Sequence, residues 1–230
     1  MPRRLTVYQL DTVGYEEALA LQKRVTAEYA QSLEDAGTLI LLEHPPVLTI
    51  GRSGTAKNIL ASARELQRAG VRVVETNRGG DVTYHGPGQI VGYPILPLAF
   101  HGKDVHSYLR RLESFLIAAL WEYGIRAERK EGFTGVWTPS GKIASIGVAI
   151  SHWISWHGFA LNVAPNLEHF KLIHPCGLVG VEIASMEKIL GRAPDRREVE
   201  SRLIAHFRAE FGFDEAVSPQ LSANAKTSRG

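Results

Sequence analysis

RGGDVTYHGPGQIVGY, residues 78–93, is the stretch that decides how the chain is read. Four glycines (Gly79, Gly80, Gly86, Gly88) and Pro87 are interleaved with Arg78, Asp81, Thr83, Tyr84, His85 and Gln89. Glycine opens backbone angles closed to other residues and lets a ligand approach the main chain. The polar residues between the glycines can then aim donors and acceptors at that ligand. A glycine-rich surface hairpin would have much the same composition, so the rest of the chain must choose between the two.

Working outward, VRVVET (71–76) reads as a strand leading into this stretch, and QIVGYPILPL (89–98) as a strand interrupted by Gly92 and Pro94. Upstream, LTVYQL (5–10) is a first strand. Residues 15–35 place Ala18, Leu21, Val25, Tyr29 and Leu33 at helical spacing, with Gly37 as the stop. TLILLE (38–43) is an apolar run expected at the centre of a sheet, HPPVLTIG turns into another strand, and residues 59–69 suggest a short helix.

Downstream, Asp104 caps a helix carrying Tyr108, Leu112, Phe115, Leu116, Ala119 and Leu120 on one face. IRAERK (125–130), FTGVWTP (133–139), KIASIGVAI (142–150), residues 153–163 and VGVEIA (179–184) read as β runs. Asp195 with Glu198 resembles a capping box for a helix presenting Val199, Leu203, Phe207 and Phe211. The expectation is one domain, 1–214, of α/β (α+β) type with a mixed β-sheet flanked by helices, followed by a disordered tail over 215–230.

The chain has 230 residues and a net charge of +2. That balance gives no electrostatic footprint for nucleic acid. With one cysteine, Cys176, no intramolecular disulfide can form. No apolar run approaches the roughly 18 residues a membrane span needs, and the N-terminus lacks a secretion signal's apolar core. A soluble cytoplasmic protein is expected.

Two phosphate fingerprints fail. The glycines of the opening stretch do not follow G-x-G-x-x-G, and no helix opens after them. GVWTPSGK (135–142) has five residues between its glycines where a phosphate loop has four, and Ile143 stands where Ser or Thr should bind magnesium. Nine histidines raise the question of zinc, but no H-E-x-x-H or C-x-x-C pairing exists, and His152 and His157 are five apart in a β-like region. No metal and no cofactor are expected.

Cys176 lies between Pro175 and Gly177, on a turned segment rather than in an apolar run. It reads equally as a small buried hydrophobe or as a nucleophile; the second needs a nearby base or cation. Lys142 opens a strand whose next eight residues carry no charge. A strand-end lysine reaching water explains it, and so does a partly desolvated lysine able to exchange a proton with a thiol. Nothing local shows that the two residues meet.

RGGDVTYHGPGQ followed by Tyr93 resembles the signature of lipoyl(octanoyl) transferases, R-G-G-x-x-T-[aromatic]-H-x-x-G-Q. LLEHPPVLTIG (41–51), KIASIGV (142–148) with HGFALNV (157–163), and PCG (175–177) agree in the same order. The resemblance covers roughly residues 5–212.

It implies a fold like biotin and lipoate protein ligase catalytic domains. It implies transfer of octanoyl from acyl carrier protein to a lysine of lipoyl domains in 2-oxoacid dehydrogenases and glycine cleavage H protein. Cys176 would carry the acyl thioester, and Lys142 would lower the thiol's pKa and take its proton. Arg78, Gly79, Gly80, Asp81, Val82, Thr83, Tyr84 and His85, with Ser145, Ile146, Gly147, Gly158, Phe159 and Ala160, would line the substrate pocket. Ile146 and Val148 are expected to help build its apolar tunnel. Backbone N–H groups near Gly177 or the glycine-rich loop would hold the oxyanion. An acidic carrier implies a basic patch, for which Arg110, Arg111, Arg126, Arg129 and Lys130 are candidates. The alternatives are an ATP-dependent lipoate or biotin ligase, which would not need Cys176, and a non-catalytic scaffold relative, which would be expected to have lost Cys176 or Lys142.

Overall fold

The apolar run after Gly37 is the centre of a large sheet: β2 (Gly37–Glu43) is buried along nearly its whole length. The structure is a computed structural model describing residues 2–32, 34–177 and 180–219, without the side chain of Cys176. The other elements are β1 (Arg4–Thr12), α1 (Tyr15–Gln31), β3 (Val47–Ile50), α2 (Ala63–Arg68), β4 (Arg72–Glu75), β5 (Val82–His85), β6 (Gln89–Ile95) and α3 (Val105–Trp121). They continue with β7 (Val136–Thr138), β8 (Gly141–Ser151), β9 (Ile154–Asn162), α4 (Met186–Leu190), α5 (Arg196–Phe211) and β10 (Glu215–Val217).

Seven strands form one sheet in the order β10-β1-β2-β6-β9-β8-β7. β10, β1 and β2 pair in parallel and the rest antiparallel, so the sheet is mixed. A second sheet, β4-β3-β5, stands apart. α3 and α5 pack on one face through Tyr108, Leu112, Phe115, Leu116, Leu203, Phe207 and Phe211. α1 covers part of the other face with Ala18 and Val25, against Ile40, Leu42, Val91, Tyr93 and Ile95. The small sheet has its own cluster, Leu48, Leu66, Val82, Tyr84, Phe170 and Ile173.

The structure departs from several expectations. β6 runs unbroken through Gly92 and Pro94. Gly92 leaves room that the Phe159 ring fills, and pairing with β9 ends at Gly92, before the proline. The helix expected over 59–69 shortens to α2, opened by a reciprocal Ser62–Glu65 cap. Gly37 begins β2 rather than ending α1, and Leu33 lies outside the described residues. IRAERK contributes only a Glu128–Trp137 bridge, and VGVEIA only a Lys142–Ile183 bridge, with Val179 outside the described residues. Where an irregular tail was expected, Glu215–Val217 form the edge strand β10; residues 220–230 lie outside the described residues.

Candidate active site

The glycine-rich stretch divides into a loop, Arg78–Asp81, the strand β5, and a turn at Gly86–Gly88. Strand alternation sorts β5. Val82 and Tyr84, expected in the pocket, face the small sheet's core instead, where Tyr84 Oη meets His169 Nδ1 at 2.8 Å. Thr83 and His85 point the other way. They line a slot between the two sheets with Tyr15, Arg78, Gly80, Asp81, Val91, Tyr93, Ser145, Gly147, His157, Gly158 and Ala160.

The slot's floor is built from small residues on adjacent strands: Val91 on β6, Ala160 on β9, Ser145 and Gly147 on β8. The cavity is narrow, about 40 Å³. Ile146 and Phe159 border it through the backbone, whereas their side chains pack in the α3/α5 core, Phe159 edge-on to Phe115. Val148 packs on that same core, so neither Ile146 nor Val148 forms the apolar tunnel expected of them.

The loop is held against β8 by glycines. The Gly79 N–H donates to the Val148 carbonyl at 2.8 Å, and a Cβ on Gly147 would lie 2.8 Å from the Gly79 carbonyl oxygen. Arg78 clasps the loop from within. Its Nε donates to Thr49 Oγ1 (3.1 Å), its Nη2 to the Thr49 carbonyl (2.7 Å), and its Nη1 to the Gly79 carbonyl (3.0 Å). Arg78 borders the slot as the motif implies, but its fork is largely spent on the protein itself.

Asp81 accepts from the Val82 N–H (2.7 Å), the Thr55 N–H (3.3 Å) and Asn58 Nδ2 (2.5 Å). The Asn58 carbonyl in turn accepts the His174 N–H at 2.8 Å. The Pro175–Gly177 turn that carries Cys176 therefore sits on the Asp81–Asn58 corner, packed against β5. Cys176 is placed here by its backbone alone.

Lys142 is buried at 3 % exposure, with its Nζ 5.4 Å from the centre of the Trp137 ring. Its N–H donates to the Glu182 carbonyl and its carbonyl accepts from the Ala184 N–H, so the strand start is pinned by the segment that follows the Cys176 turn. The N–H groups of Gly79, Gly86, Gly88 and Gly177 are all committed within the protein, Gly177 to the His174 carbonyl. None of these four is left as the oxyanion donor anticipated from sequence.

Aromatic and imidazole rings complete the lining, with His44 packed behind them against Tyr15, His85 and Tyr93, and only part of this group was legible. His44 and His157 did not stand out among nine histidines, and Tyr15 reads merely as a helix start. His157 has a left-handed φ of +55°, an uncommon conformation for a non-glycine residue and a costly one, which can mark a functional position. Its Nε2 donates to Asn77 Oδ1 (2.9 Å), and among the described residues neither its buried Nδ1 nor that of His85 has a partner. Burial pushes the pKa of His44 and of His157 down to about 4, and that of His85 well below the usual imidazole value. Burial also holds the Tyr93 phenol well above its ordinary value. At neutral pH these rings carry no charge, which suits an uncharged chain lying among them.

Residues 14–208 match the lipoyl protein ligase A/B catalytic domain. The chain belongs to this family. It is 50 % identical to the octanoyltransferase of Caldicellulosiruptor saccharolyticus over 212 residues, covering 91 % of this chain and 89 % of that one. It is 47 % identical to the octanoyltransferase of Geobacter metallireducens over 203 residues, covering 88 % and 92 %. The fold is shared with a bi-partite lipoate protein ligase from Thermoplasma acidophilum, at a TM-score of 0.74 and 17 % identity over 94 % of this chain and 87 % of that one. A biotin protein ligase from Aquifex aeolicus shares it more loosely, at a TM-score of 0.53 and 13 % identity over 91 % and 70 %.

The expected basic patch is largely spoken for. Arg110 and Arg129 are paired with Glu113, Arg111 with Glu210, and Lys130 lies over Phe133 and Trp137. No helix among the described residues is long and apolar enough to cross a membrane.

Proposed function

We propose that this acyltransferase moves an octanoyl group from the thioester of acyl carrier protein to a lysine ε-amine of a lipoyl domain, through a thioester on Cys176, in the cytoplasm. The acceptors are the lipoyl domains of 2-oxoacid dehydrogenases and the glycine cleavage H protein. The observation that carries the reading is the narrow slot floored by small residues, walled by neutral rings and flanked by the Cys176 turn, in a chain whose full-length relatives are octanoyltransferases. The slot must widen to admit the chain; burying about six methylenes in the widened slot at ~0.8 kcal/mol each would supply roughly 5 kcal/mol of chain recognition.

The chemistry follows in two steps. Lys142 takes the thiol proton, and the Cys176 thiolate attacks the carbonyl of the donor thioester. The carrier thiolate leaves and takes that proton from Lys142, which is again neutral for the second step. One thioester replaces another, so the step is nearly isoenergetic. The neutral acceptor amine then attacks the Cys176 thioester, its surplus proton passes to Lys142, and the thiolate is expelled. The amide formed is the stable product, which drives the sequence without ATP.

Intact mass after incubation with octanoyl carrier protein and no ATP tests this. An adduct of octanoyl mass, lost on hydroxylamine treatment and absent in Cys176→Ser, is the expected result. Strict ATP dependence, or Cys176→Ser transferring at the wild-type rate, would sink the covalent mechanism.

A further inference from the structure

We infer that Glu113, on the far side of the large sheet, is a positioning residue for Lys142. The inference rests on Lys142 acting as the proton acceptor, as proposed above. Glu113 sits in the middle of α3 with no exposed surface. Burying a carboxylate is costly, and an apolar residue would pack the helix as well. The carboxylate is instead aimed at one loop. Its Oε1 accepts the Gly135 N–H at 3.0 Å; its Oε2 accepts Arg110 Nη1 at 2.7 Å and Arg129 Nε at 3.1 Å. Arg129 also donates to the Arg110 carbonyl at 2.9 Å and to Ser114 Oγ. Both ends of the segment 129–135 are thereby stapled to a seventeen-residue helix.

Gly135 is the surface on which Lys142 lies. Its φ is +127°, and a Cβ there would stand 2.7 Å from Lys142 Cε and 2.7 Å from the Ala144 carbonyl oxygen. The lysine stem therefore rests on the Gly135 main chain, with the Trp137 ring near its amine. Lys142's own backbone is fixed separately by Glu182 and Ala184. The side chain that would accept the proton lies on a backbone unit that Glu113 holds. A proton acceptor displaced by about 1 Å loses on the order of a hundredfold in rate. The charged groups facing Glu113 are Arg110 from its own helix and Arg129 from the loop, and both neutralise it locally rather than acting on the thiol.

Cys176 is the only cysteine, so alkylation reports on it alone. The experiment compares Glu113→Ala, the milder Arg129→Met, Lys142→Ala and the Glu113→Ala/Lys142→Ala double variant. It reads the pH profile of thiol alkylation, kcat and KM for transfer, and the thermal midpoint. Glu113→Ala and Arg129→Met are expected to lower kcat by about tenfold or more with KM little changed. Their alkylation profiles are expected to move in the same direction as that of Lys142→Ala. Adding Glu113→Ala to Lys142→Ala should change neither kcat nor the profile further. If Glu113→Ala does not fold, Arg129→Met decides. An unmoved profile in folded variants, or additive losses in the double, overturns the positioning role while leaving Lys142 in place. A profile unmoved by Lys142→Ala removes the proton-acceptor reading, and the positioning role with it.

Discussion

His44 and Tyr93 are joined by a hydrogen bond whose direction the structure fixes. The Val13 carbonyl can only accept, so His44 Nδ1 carries the proton and donates to it at 2.7 Å. Nε2 must then accept, and the Tyr93 O–H donates to it at 2.6 Å. This pair ties β6 to the end of β2 at the wall of the slot. Protonating His44 would reverse this bond: Nε2–H would donate to the Tyr93 oxygen, and the buried Tyr93 O–H would have to find another acceptor.

Acid should therefore weaken the fold before carboxylates are involved. Burial holds the pKa of His44 in the folded chain down to about 4, below the ordinary imidazole value of about 6.5. Above pH 6.5 both folded and unfolded chains hold it neutral, and its contribution is fully present. Below that, the unfolded chain binds a proton that the folded chain refuses, and stability falls until about pH 4. The span corresponds to about 3 kcal/mol for His44, with His157 acting in the same direction. Urea unfolding across pH 8 to 4 should show this loss, and His44→Gln should lose less over the same window despite starting lower. Parallel curves for the two proteins would refute the assignment.

The slot floor should set chain length. Ala160 is paired with Val91 on one side and Ser145 on the other, so nothing large competes for the space above it. Ala160→Leu places three extra carbons there. Octanoyl transfer should show a KM raised by about tenfold or more, corresponding to the loss of roughly two buried methylenes. A four-carbon donor should be much less affected. A series of acyl carrier protein thioesters of increasing length measures this, and an unchanged length preference would remove Ala160 from the floor.

The large sheet was well written in the sequence, because its strands are apolar runs whose period matches their burial, as in β2 and β9, and because Asp104 and Asp195 cap α3 and α5 where expected. The small pieces were not. β10 is only three residues long and exists because Arg4–Thr6 offer it an edge, a pairing of opposite ends of the chain that leaves no local trace. The site shows the same division. Motif positions located the loop, but which neighbours face the slot depends on strand phase, so Val82 and Tyr84 fell on the wrong side. Tyr15 reaches the slot, and His44 packs behind it against Tyr15, His85 and Tyr93, from elements far away in sequence and through contacts no spacing rule encodes.

Arg78→Lys should behave as a structural lesion. The guanidinium reaches Thr49, Gly79 and the Asp81 carbonyl together, a fan that an ammonium on a flexible stem cannot reproduce. A stability loss of roughly 2 kcal/mol is expected from buried acceptors left unmet. Denaturant unfolding together with limited proteolysis around residues 77–81 reads it. Wild-type stability and an uncut loop would show that Arg78 is kept for substrate rather than for the fold.

Gly177 separates backbone strain from collision at the cysteine turn. Its φ is +69°, and a Cβ would lie 2.5 Å from Asp81 Oδ2. That carboxylate cannot easily withdraw, since Asn58 and Thr55 hold it. Gly191 has nearly the same φ, +73°, with nothing within 4 Å of an added Cβ. Alanine at either position costs about 1 kcal/mol in the left-handed region. Only Gly177→Ala must also move the turn bearing Cys176, so it should lose on the order of ten- to a hundredfold in transfer and in thiol alkylation rate, while Gly191→Ala retains both. Equal activities in the two variants, at equal thermal midpoints, would mean that the Asp81 corner does not set the position of the thiol.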